Sequence, residues 1–341
     1  MMKEAIAHVA SGESLTELEA AAVMEEIMTG EATPSQLGAF LTALHLKGET
    51  VDEITGLARV MREKAVHVPL PAHMSPVDTC GTGGDKSGTF NVSTAAGLVV
   101  AACGQPVAKH GNRAATSRCG SADVLEALGV KIELKPEQVA RCVTEAGFGF
   151  MFAPAYHPAM KHVGPTRREI GIRTVFNILG PLTNPAGAAY QVLGVPDASL
   201  VRKMGEALLR LGCRRALVVY GEDGIDEVSL SAPSLVCDIL GTEGALREYY
   251  VKPEDFGITR QDREAVHGGD AAFNAQVLRD TLSGRLNDAH TDMVSLNAGA
   301  ALLASERVGT LADGVKLASE MLRSGRAVET LEAVASLSYA A

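Results

Sequence analysis

The sequence DTCGTGGDKSGTFNVST, residues 78–94, leads from an apolar strand candidate (76–80) through a glycine-rich loop into an apolar helix candidate (92–103). Four glycines fall within positions 81–88, which lets the backbone approach a ligand closely. The free N–H groups and the dipole at the start of a helix attract anions. The loop therefore predicts a phosphate site, the alternative being a tight turn in which an asparagine or serine caps the helix.

The spacing of these glycines disfavours two common nucleotide sites. The loop matches neither G-x-x-x-x-G-K-[ST] of the P-loop NTPases nor G-x-G-x-x-G of classical dinucleotide-binding domains. Short hydroxyl and amide donors follow it at Thr89, Asn91, Ser93 and Thr94.

The alternation of strand and helix continues after this loop. Further strand candidates are 106–109, 148–152, 189–195 and 216–220, and further helix candidates are 121–128, 136–146 and 197–211. Such alternation predicts an α/β fold with a mostly parallel sheet. The tail from residue 270 is expected to be mostly helical.

The first 65 residues predict four short helices. Capping boxes mark three helix starts: Ser14 with Glu17, Thr33 with Gln36, and Thr50 with Glu53. One apolar stripe follows the second box, at Leu37, Phe40, Leu41 and Leu44. Three prolines within 67–76 then form a linker. Because four short helices cannot hide all their apolar stripes among themselves, one face is expected to meet another domain or subunit.

Length and composition narrow the class of protein. At roughly 100–200 residues per domain, 341 residues suggest two domains. The 31 Lys and Arg against 41 Asp and Glu give a net charge of −10, which disfavours general nucleic-acid binding. Aromatic residues make up only 4% and tryptophan is absent, so a base-stacking protein is also disfavoured.

Two features predict a cytoplasmic protein that does not enter a membrane. The N-terminal residues lack the apolar core of a signal peptide, and the longest apolar stretch, 95–103, is about half a membrane span. Six scattered cysteines without a CxxC pair predict buried thiols, not disulfides or zinc ligands.

Three further segments carry candidate chemistry. Residues 109–121, KHGNRAATSRCGS, place three basic side chains where a strand ends, the edge at which ligands bind open α/β sheets; the alternative is a solvated basic loop with Ser121 as a helix cap. Residues 157–169 hold two arginines, and an arginine pairs bidentately with a carboxylate, although Arg168 and Glu169 also fit a surface ion pair. In the segment 221–227, GEDGIDE, the adjacent acids Asp226 and Glu227 would suit Mg²⁺, the alternative being a solvated acidic turn.

Together these segments resemble the anthranilate phosphoribosyltransferases of the tryptophan pathway. The matching motifs are GTGGD (81–85), NVST (91–94), KHGNR (109–113), GSADVLEALG (120–129), RRE (167–169), FNILGPLTNP (176–185) and DGIDE (223–227). The resemblance implies a small helical domain, 1–66 joined by helices near 158–184, and a larger α/β domain of the nucleoside phosphorylase-like type, 77–157 and 185–341. It also implies a homodimer joined through the helical domain.

The resemblance further implies a reaction: anthranilate and phosphoribosyl pyrophosphate give N-(5-phosphoribosyl)anthranilate and pyrophosphate, with Mg²⁺. The implied donor-binding residues are Gly81, Gly84, Asp85, Thr89, Asn91, Val92, Ser93, Thr94, Lys109, His110, Gly111, Asn112, Arg113, Ala114, Ala115, Thr116, Ser117 and Ser121. The implied anthranilate-binding residues are Gly81, His110, Asn112, His157, Arg167, Gly180 and Pro181. The implied magnesium ligands are Ser93, Asp226 and Glu227. No general base is assigned, since an aromatic amine is already neutral at pH 7.

Two other functions are compatible with parts of the pattern. The pyrimidine nucleoside phosphorylases share the architecture and similar glycine-rich loops, but use phosphate in place of a pyrophosphate donor. A non-catalytic nucleic-acid-binding relative would be expected to carry a basic face, which the net charge opposes. The sequence departs from the family pattern at Thr116, which keeps a hydroxyl, and at Cys119, whose thiol is a weak donor.

Overall fold

The computed structural model describes residues 1–114 and 118–340. Four helices form the N-terminal part, as predicted: α1 Met2–Ala10, α2 Glu17–Thr29, α3 Pro34–Lys47 and α4 Val51–Glu63. The boxes at Thr33 and Thr50 are confirmed. The box at Ser14 is wrong, because α2 is capped by Thr16 with Glu19, while Glu17 forms an ion pair with Arg59.

A seven-stranded sheet forms the centre of the larger part, in the order β3-β2-β1-β4-β5-β6-β7. The strands are β1 Val77–Gly81, β2 Val107–Gly111, β3 Phe148–Phe152, β4 Tyr190–Gly194, β5 Arg215–Gly221, β6 Ser234–Leu240 and β7 Ala245–Val251. Strands β1 to β5 pair in parallel, which confirms the five predicted strands and the mostly parallel sheet. Strands β6 and β7 add an antiparallel edge that the sequence reading did not predict.

Eleven more helices follow α4 in the described residues, and all but α9 and α10 belong to the larger part around this sheet. They are α5 Val92–Ala102, α6 Ser121–Ala127, α7 Pro136–Ala146, α8 Ala153–Tyr156, α9 Gly164–Ile170, α10 Phe176–Leu179, α11 Ala198–Arg210, α12 Ala271–Leu282, α13 Ala289–Ala304, α14 Leu311–Ser324 and α15 Ala327–Tyr339. Successive residues of β5 enter different cores: Leu217 lies with α5 and α13, and Val218 lies with α11 and α4. The predicted helical tail is confirmed.

Residues 158–184 pack on the N-terminal helices, although the first strands separate the two stretches in the chain. Helix α9 contacts α3, and α10 contacts α4. Val163 and Phe176 lie in the same apolar core as Phe40 and Leu57. The two stretches therefore form one helical body beside the sheet.

A buried carboxylate joins three parts of this helical body. Glu53, which is fully buried, accepts hydrogen bonds from the backbone N–H groups of Leu15 (3.0 Å) and Thr50 (2.8 Å) and from Lys47 Nζ (2.9 Å). A buried charge is tolerated when it is paired and hydrogen-bonded in this way. Glu53 thus fixes the entry to α2 and the turn between α3 and α4.

Two predictions from composition can be compared with the described residues. All six cysteines are buried there and none forms a disulfide, which confirms the prediction of buried thiols. No helix in the described ranges combines the length and the apolar character needed to span a membrane.

Candidate active site

An acidic side chain lies directly over the carboxyl ends of β1 and β4, and two glycines make room for it. A Cβ added at Gly194 would lie 1.6 Å from the backbone oxygen of Asp226, and one added at Gly81 would lie 2.5 Å from Asp226 Oδ2. The same Oδ2 accepts a hydrogen bond from the N–H of Gly83 at 2.9 Å. The turn 221–227 and the loop after β1 are thereby joined.

Three carboxylates share this edge of the sheet. Desolvation and the neighbouring Asp85 raise the pKa of Asp226. Desolvation and the neighbouring Asp226 likewise raise the pKa of Glu227. Asp85 Oδ2 is buried without a hydrogen-bond partner among the residues that the structure describes. Raised carboxyl pKa values and an orphaned oxygen indicate negative charge that lacks sufficient compensation, which is the environment that suits a cation.

The acidic cluster fits Mg²⁺ better than a metal held by protein ligands alone. Within the described ranges, no three or more His, Cys, Asp or Glu side chains are arranged to hold a metal ion. Mg²⁺ is usually held by one or two carboxylates, with water and substrate phosphates completing its shell. Asp226 and Glu227 are such a pair. Ser93 lies beside them, because Ser93 and Glu227 line the same small cavity.

Lys109 is the cation that faces these acids, and it lies inside the protein. The side chain is 2% exposed. Its Nζ donates to the backbone oxygen of Thr79 and to Ser93 Oγ (3.3 Å), and its charge opposes the rise in the pKa of Glu227. The expectation of a solvated basic loop is therefore wrong for Lys109. A small cavity beside it is lined by Gly81, Ser93, Glu227 and Asn297, among other residues.

The loop between β1 and α5 is held by its own polar groups. Asp85 Oδ1 accepts from the N–H of Ser87 (3.2 Å), and the hydroxyls of Ser87 and Thr89 are 3.0 Å apart. The side chains of Val92 and Thr94 are buried in the core under α5. These two residues therefore support the loop from below, whereas Asn91 begins the helix as its N-cap without capping it through its side chain.

The segment after β2 is only partly described. Arg113 points to α6, where Nη1 lies 3.0 Å from Asp123 Oδ1 and Nη2 lies 3.0 Å from Glu126 Oε1. The structure therefore does not bring the Arg113 guanidinium to the acidic cluster. The N–H of Ala114 donates to Asp123 Oδ2 (3.0 Å), and Ser121 Oγ donates to the backbone oxygen of Asn112 (3.2 Å). Ser121 is the first residue of α6 and Gly120 its cap, so the alternative with Ser121 as cap is wrong.

Two further points complete this segment. A Cβ at Gly111 would lie 2.3 Å from Ser121 Oγ, so the end of β2 lies close to the start of α6. The predicted donor residues Ala115, Thr116 and Ser117 lie outside the described residues.

Two buried histidines stand where β2 meets the segment 157–184. The ring centroids of His110 and His157 are 5.1 Å apart. His110 Nδ1 lies 3.2 Å from the backbone oxygen of Gly180, and a carbonyl can only accept, so Nδ1 carries the proton. Desolvation, followed by the effect of His157, lowers the pKa of His110 to about 3, and desolvation lowers that of His157 to about 4. Both rings are therefore neutral at pH 7, and neither buried Nε2 atom has a hydrogen-bond partner in the described part of the chain.

The segment 157–184 also supplies Arg167. Its guanidinium lies 5.4 Å from the ring centroid of Phe176, and burial lowers its pKa. No carboxylate of the described residues forms an ion pair with it, in contrast to Arg113. Gly180 leaves open space where a Cβ would stand, and the backbone oxygen of Pro181 accepts from Gln191 Nε2 (2.7 Å). A half-buried arginine without an anionic partner is suited to bind a carboxylate ligand.

Several residues near the site were missed by the sequence reading. Arg173 crosses from the helical body to the glycine-rich loop, where Nη2 donates to Gly83 O at 3.2 Å. Asn297 holds the backbone of Val228, next to Glu227, through both N–H and oxygen (2.8 and 3.1 Å). A signal existed for Asn297, because it is an isolated amide in the apolar run of α13. Arg173 lay between two motifs, and nothing in its spacing indicated a contact.

Comparisons with known proteins agree with this architecture. The model of a glycosyl transferase family, α/β domain, matches residues 73–328, and that of the helical bundle domain of the same family matches residues 3–65. The anthranilate phosphoribosyltransferase of Chloroflexus aggregans is 57% identical over 337 residues, which cover 99% of this chain and 98% of the relative.

Solved structures show the same likeness. The crystal structure of anthranilate phosphoribosyltransferase from Thermus thermophilus superimposes with a TM-score of 0.93 at 47% identity, covering 98% of this chain and 99% of that one. The enzyme from Saccharomyces cerevisiae in complex with PRPP and Mg gives 0.91 at 26% identity, covering 100% and 98%.

The helical bundle and the α/β domain define a glycosyl transferase, and the chain belongs to that family. Within it, near full-length identity above 50% makes the chain a member of the anthranilate phosphoribosyltransferases.

The two histidines predict how stability depends on pH. In the unfolded chain they titrate near 6.5, so between about pH 4 and 6.5 the unfolded state binds more protons than the folded state. The free energy of unfolding therefore falls as pH drops through that range, by up to ~1.4 kcal/mol per pH unit for each ring. His157→Gln is expected to remove its share of this slope, measured by urea unfolding at pH 7.5, 6 and 5. Exposed His73→Gln serves as the control, and an equal slope in wild type and His157→Gln would contradict the assignment.

Proposed function

We propose that this chain transfers the phosphoribosyl group of phosphoribosyl pyrophosphate to the amine of anthranilate, in tryptophan biosynthesis, and that the cleft between sheet edge and helical body is where it does so. The transfer is the activity of the family to which the chain belongs. The observation that carries the assignment of the cleft is its two unlike walls. One wall holds Lys109 and the acidic pair Asp226 and Glu227, and the other presents neutral His157 and unpaired Arg167.

The donor would lie along the first wall. The start of α5 attracts phosphate oxygens through its free N–H groups and helix dipole, while the N–H of Gly83 in the loop is engaged by Asp226. Asp226 and Glu227, with Ser93 beside them, would hold Mg²⁺. When bound, Mg²⁺ neutralises charge that develops on the leaving pyrophosphate.

The acceptor would lie against the second wall. Arg167 pairs with the carboxylate of anthranilate, and the neutral rings of His110 and His157 line the path without adding charge. Asn112, which follows β2 directly, would contact anthranilate. This placement directs the amine nitrogen at C1 of the ribose.

The chemical step then needs position and charge more than a base. The N–C1 bond forms, the C1–O bond to pyrophosphate breaks, and the amine nitrogen then loses one proton to solvent water. Because the aromatic amine is neutral at pH 7, no side chain must deprotonate it before attack. Fixed donors aimed at the developing charge are often the largest single contribution to such catalysis, and Lys109 with the first N–H groups of α5 supplies them here.

Assembly and location are part of the proposal. Leu18 and Leu46 are 78% and 80% exposed, and they lie at the end of the helical body where Lys47 Nζ contacts Ser14 Oγ (3.3 Å). Such exposed apolar side chains support a homodimer through the helical body. Six buried cysteines without a disulfide among the described residues support the reducing cytoplasm.

We expect the purified protein to consume anthranilate and release pyrophosphate when it is mixed with anthranilate, phosphoribosyl pyrophosphate and Mg²⁺. The decrease in anthranilate fluorescence measures the reaction. Omitting any component should stop the signal. If folded protein leaves anthranilate intact at saturating donor, the acceptor is wrong. Phosphorolysis of thymidine or uridine would then identify a nucleoside phosphorylase.

Arg167→Ala is expected to raise the KM for anthranilate by about 10–100-fold, because a hydrogen bond to a charged group contributes roughly 1.5–3 kcal/mol. The KM for the donor should change far less. Steady-state kinetics with each substrate varied in turn measures both. The neighbouring exposed Arg168→Ala is the matched control, and equal rises in both KM values for Arg167→Ala would remove it from the acceptor site.

Combined Asp226→Asn and Glu227→Gln substitutions are expected to shift the Mg²⁺ titration of activity to higher concentration, since both charged ligands are lost. The exposed adjacent pair Glu254→Gln and Asp255→Asn supplies a control with the same change in charge. An unaltered titration in the first double variant would place the metal elsewhere.

A further inference from the structure

A second segment backs the glycine-rich loop from behind. The N–H of Gly268 donates to Gly88 O (2.7 Å), and the N–H of Phe90 donates to Val266 O (3.2 Å). A Cβ at Gly268 would lie 2.8 Å from the backbone nitrogen of Phe90. Residues 88–90 and 266–268 are therefore held backbone to backbone, with no space for a side chain between them.

A buried asparagine of α12 extends this contact. Asn274 is 1% exposed. Its Oδ1 accepts from the N–H of Gly269 (2.7 Å), and its Nδ2 donates to Asn91 Oδ1 (2.9 Å). Asn91 Nδ2 in turn donates to the backbone oxygen of Cys119 (3.2 Å). A backbone donor at one end and a backbone acceptor at the other fix the orientation of both amides.

This chain of hydrogen bonds changes the role of Asn91. These contacts engage both ends of its amide, so its side chain acts as a strut between the start of α5 and the segment before α6. Asn274 also hydrogen-bonds the side chain of Cys119, where it opposes the rise in the thiol pKa that burial causes. Three stretches around the cleft, 88–91, 118–120 and 268–270, thus meet at Asn274.

We infer that Asn274 is a positioning residue for the phosphoribosyl pyrophosphate donor, acting through Asn91 and not by contact with the substrates. The inference rests on the proposed function for the identity of the donor. Its N–H donated to Asn91 Oδ1 keeps the strut in place, and the strut sets the distance between the glycine-rich loop and the segment before α6. Loss of that N–H should weaken binding of the donor and leave binding of anthranilate nearly unchanged.

Two substitutions separate the hydrogen bond from the effects of size and charge. In Asn274→Asp at pH 8, a carboxylate oxygen faces Asn91 Oδ1 and two acceptors repel; at pH 6 the introduced carboxyl, whose pKa burial raises, regains a proton and donates again. Asn274→Leu has neither donor nor charge. Relative to wild type, the Kd for phosphoribosyl pyrophosphate with Mg²⁺ is expected to rise about tenfold or more in both variants at pH 8, and to recover at pH 6 only in Asn274→Asp.

Calorimetry with phosphoribosyl pyrophosphate and Mg²⁺ measures these Kd values without an acceptor, so it tests Asn274 even if anthranilate is not consumed by the wild type. Failure of the wild type to consume anthranilate would refute the proposed function and would leave the inference about Asn274 standing. Thr281→Val, a buried polar position on the same helix, should bind the donor as the wild type does. Asn274→Ser, whose hydroxyl is too short to reach Asn91, replaces Asn274→Leu if the latter does not fold, with the same expected result.

Three results would overturn the inference. The first is a wild-type Kd for the donor in Asn274→Leu. The second is a loss in Asn274→Asp that persists unchanged at pH 6. The third is an equal rise, in Asn274→Leu, in the KM for anthranilate and in the KM for the donor. Such a rise would indicate general loosening of the fold.

Discussion

The site depends on the placement of Asp226 against the ends of β1 and β4. The strand residues that it contacts, Gly81 and Gly194, have no room for a side chain. A Cβ at Gly194 would stand 1.6 Å from the Asp226 backbone, so a substitution there would displace the whole turn 221–227. That turn carries both carboxylates, and Gly83 is bonded to one of them. The glycine-rich loop, the acidic pair and the buried Lys109 therefore form one electrostatic unit. Its geometry requires glycine at positions 81 and 194.

The second wall consists of His110, His157 and Arg167, and burial, not ion pairing, determines the properties of these side chains. His110 and His157 remain neutral because desolvation lowers their pKa values, and Arg167 stays charged without an ion-pair partner among the described residues. An aromatic acid needs this combination: an apolar, uncharged path for its ring and one cation for its carboxylate. The two walls thus differ in character: one is lined by acids and a buried lysine, the other by neutral rings and a single arginine.

Local patterns in the sequence predicted the N-terminal helices, the parallel strands and the buried cysteines, because capping and apolar periodicity act over a few residues. Patterns failed where distant partners decide. Glu17 forms an ion pair with Arg59, and the N-cap of α2 is Thr16 and not Ser14. Strand β7 lies at the sheet edge with much of its surface exposed, so it lacks the apolar run that marked the other strands.

The same limit applies to the candidate site. Motif spacing predicted which loops meet at the sheet edge, and Lys109, Asp226 and Glu227 do lie together there. Spacing did not predict that Lys109 would be buried under Thr79, or that Arg113 would turn to α6. Asn274 carried no local signal at all, because its partner Asn91 lies 183 positions away. The roles of these residues remain predictions for the experiments above.

The helical body has a consequence for how the chain folds. Its core needs residues near 163 and 176 as well as the first helices, and three strands of the sheet lie between these stretches in the chain. During synthesis, α1 to α4 therefore emerge long before their partners and keep part of their apolar surface uncovered. Contacts between such distant segments slow folding, since a long loop must close before they form. The nascent N-terminal helices are thus the part of this protein that most needs protection from aggregation until about residue 180 has been made.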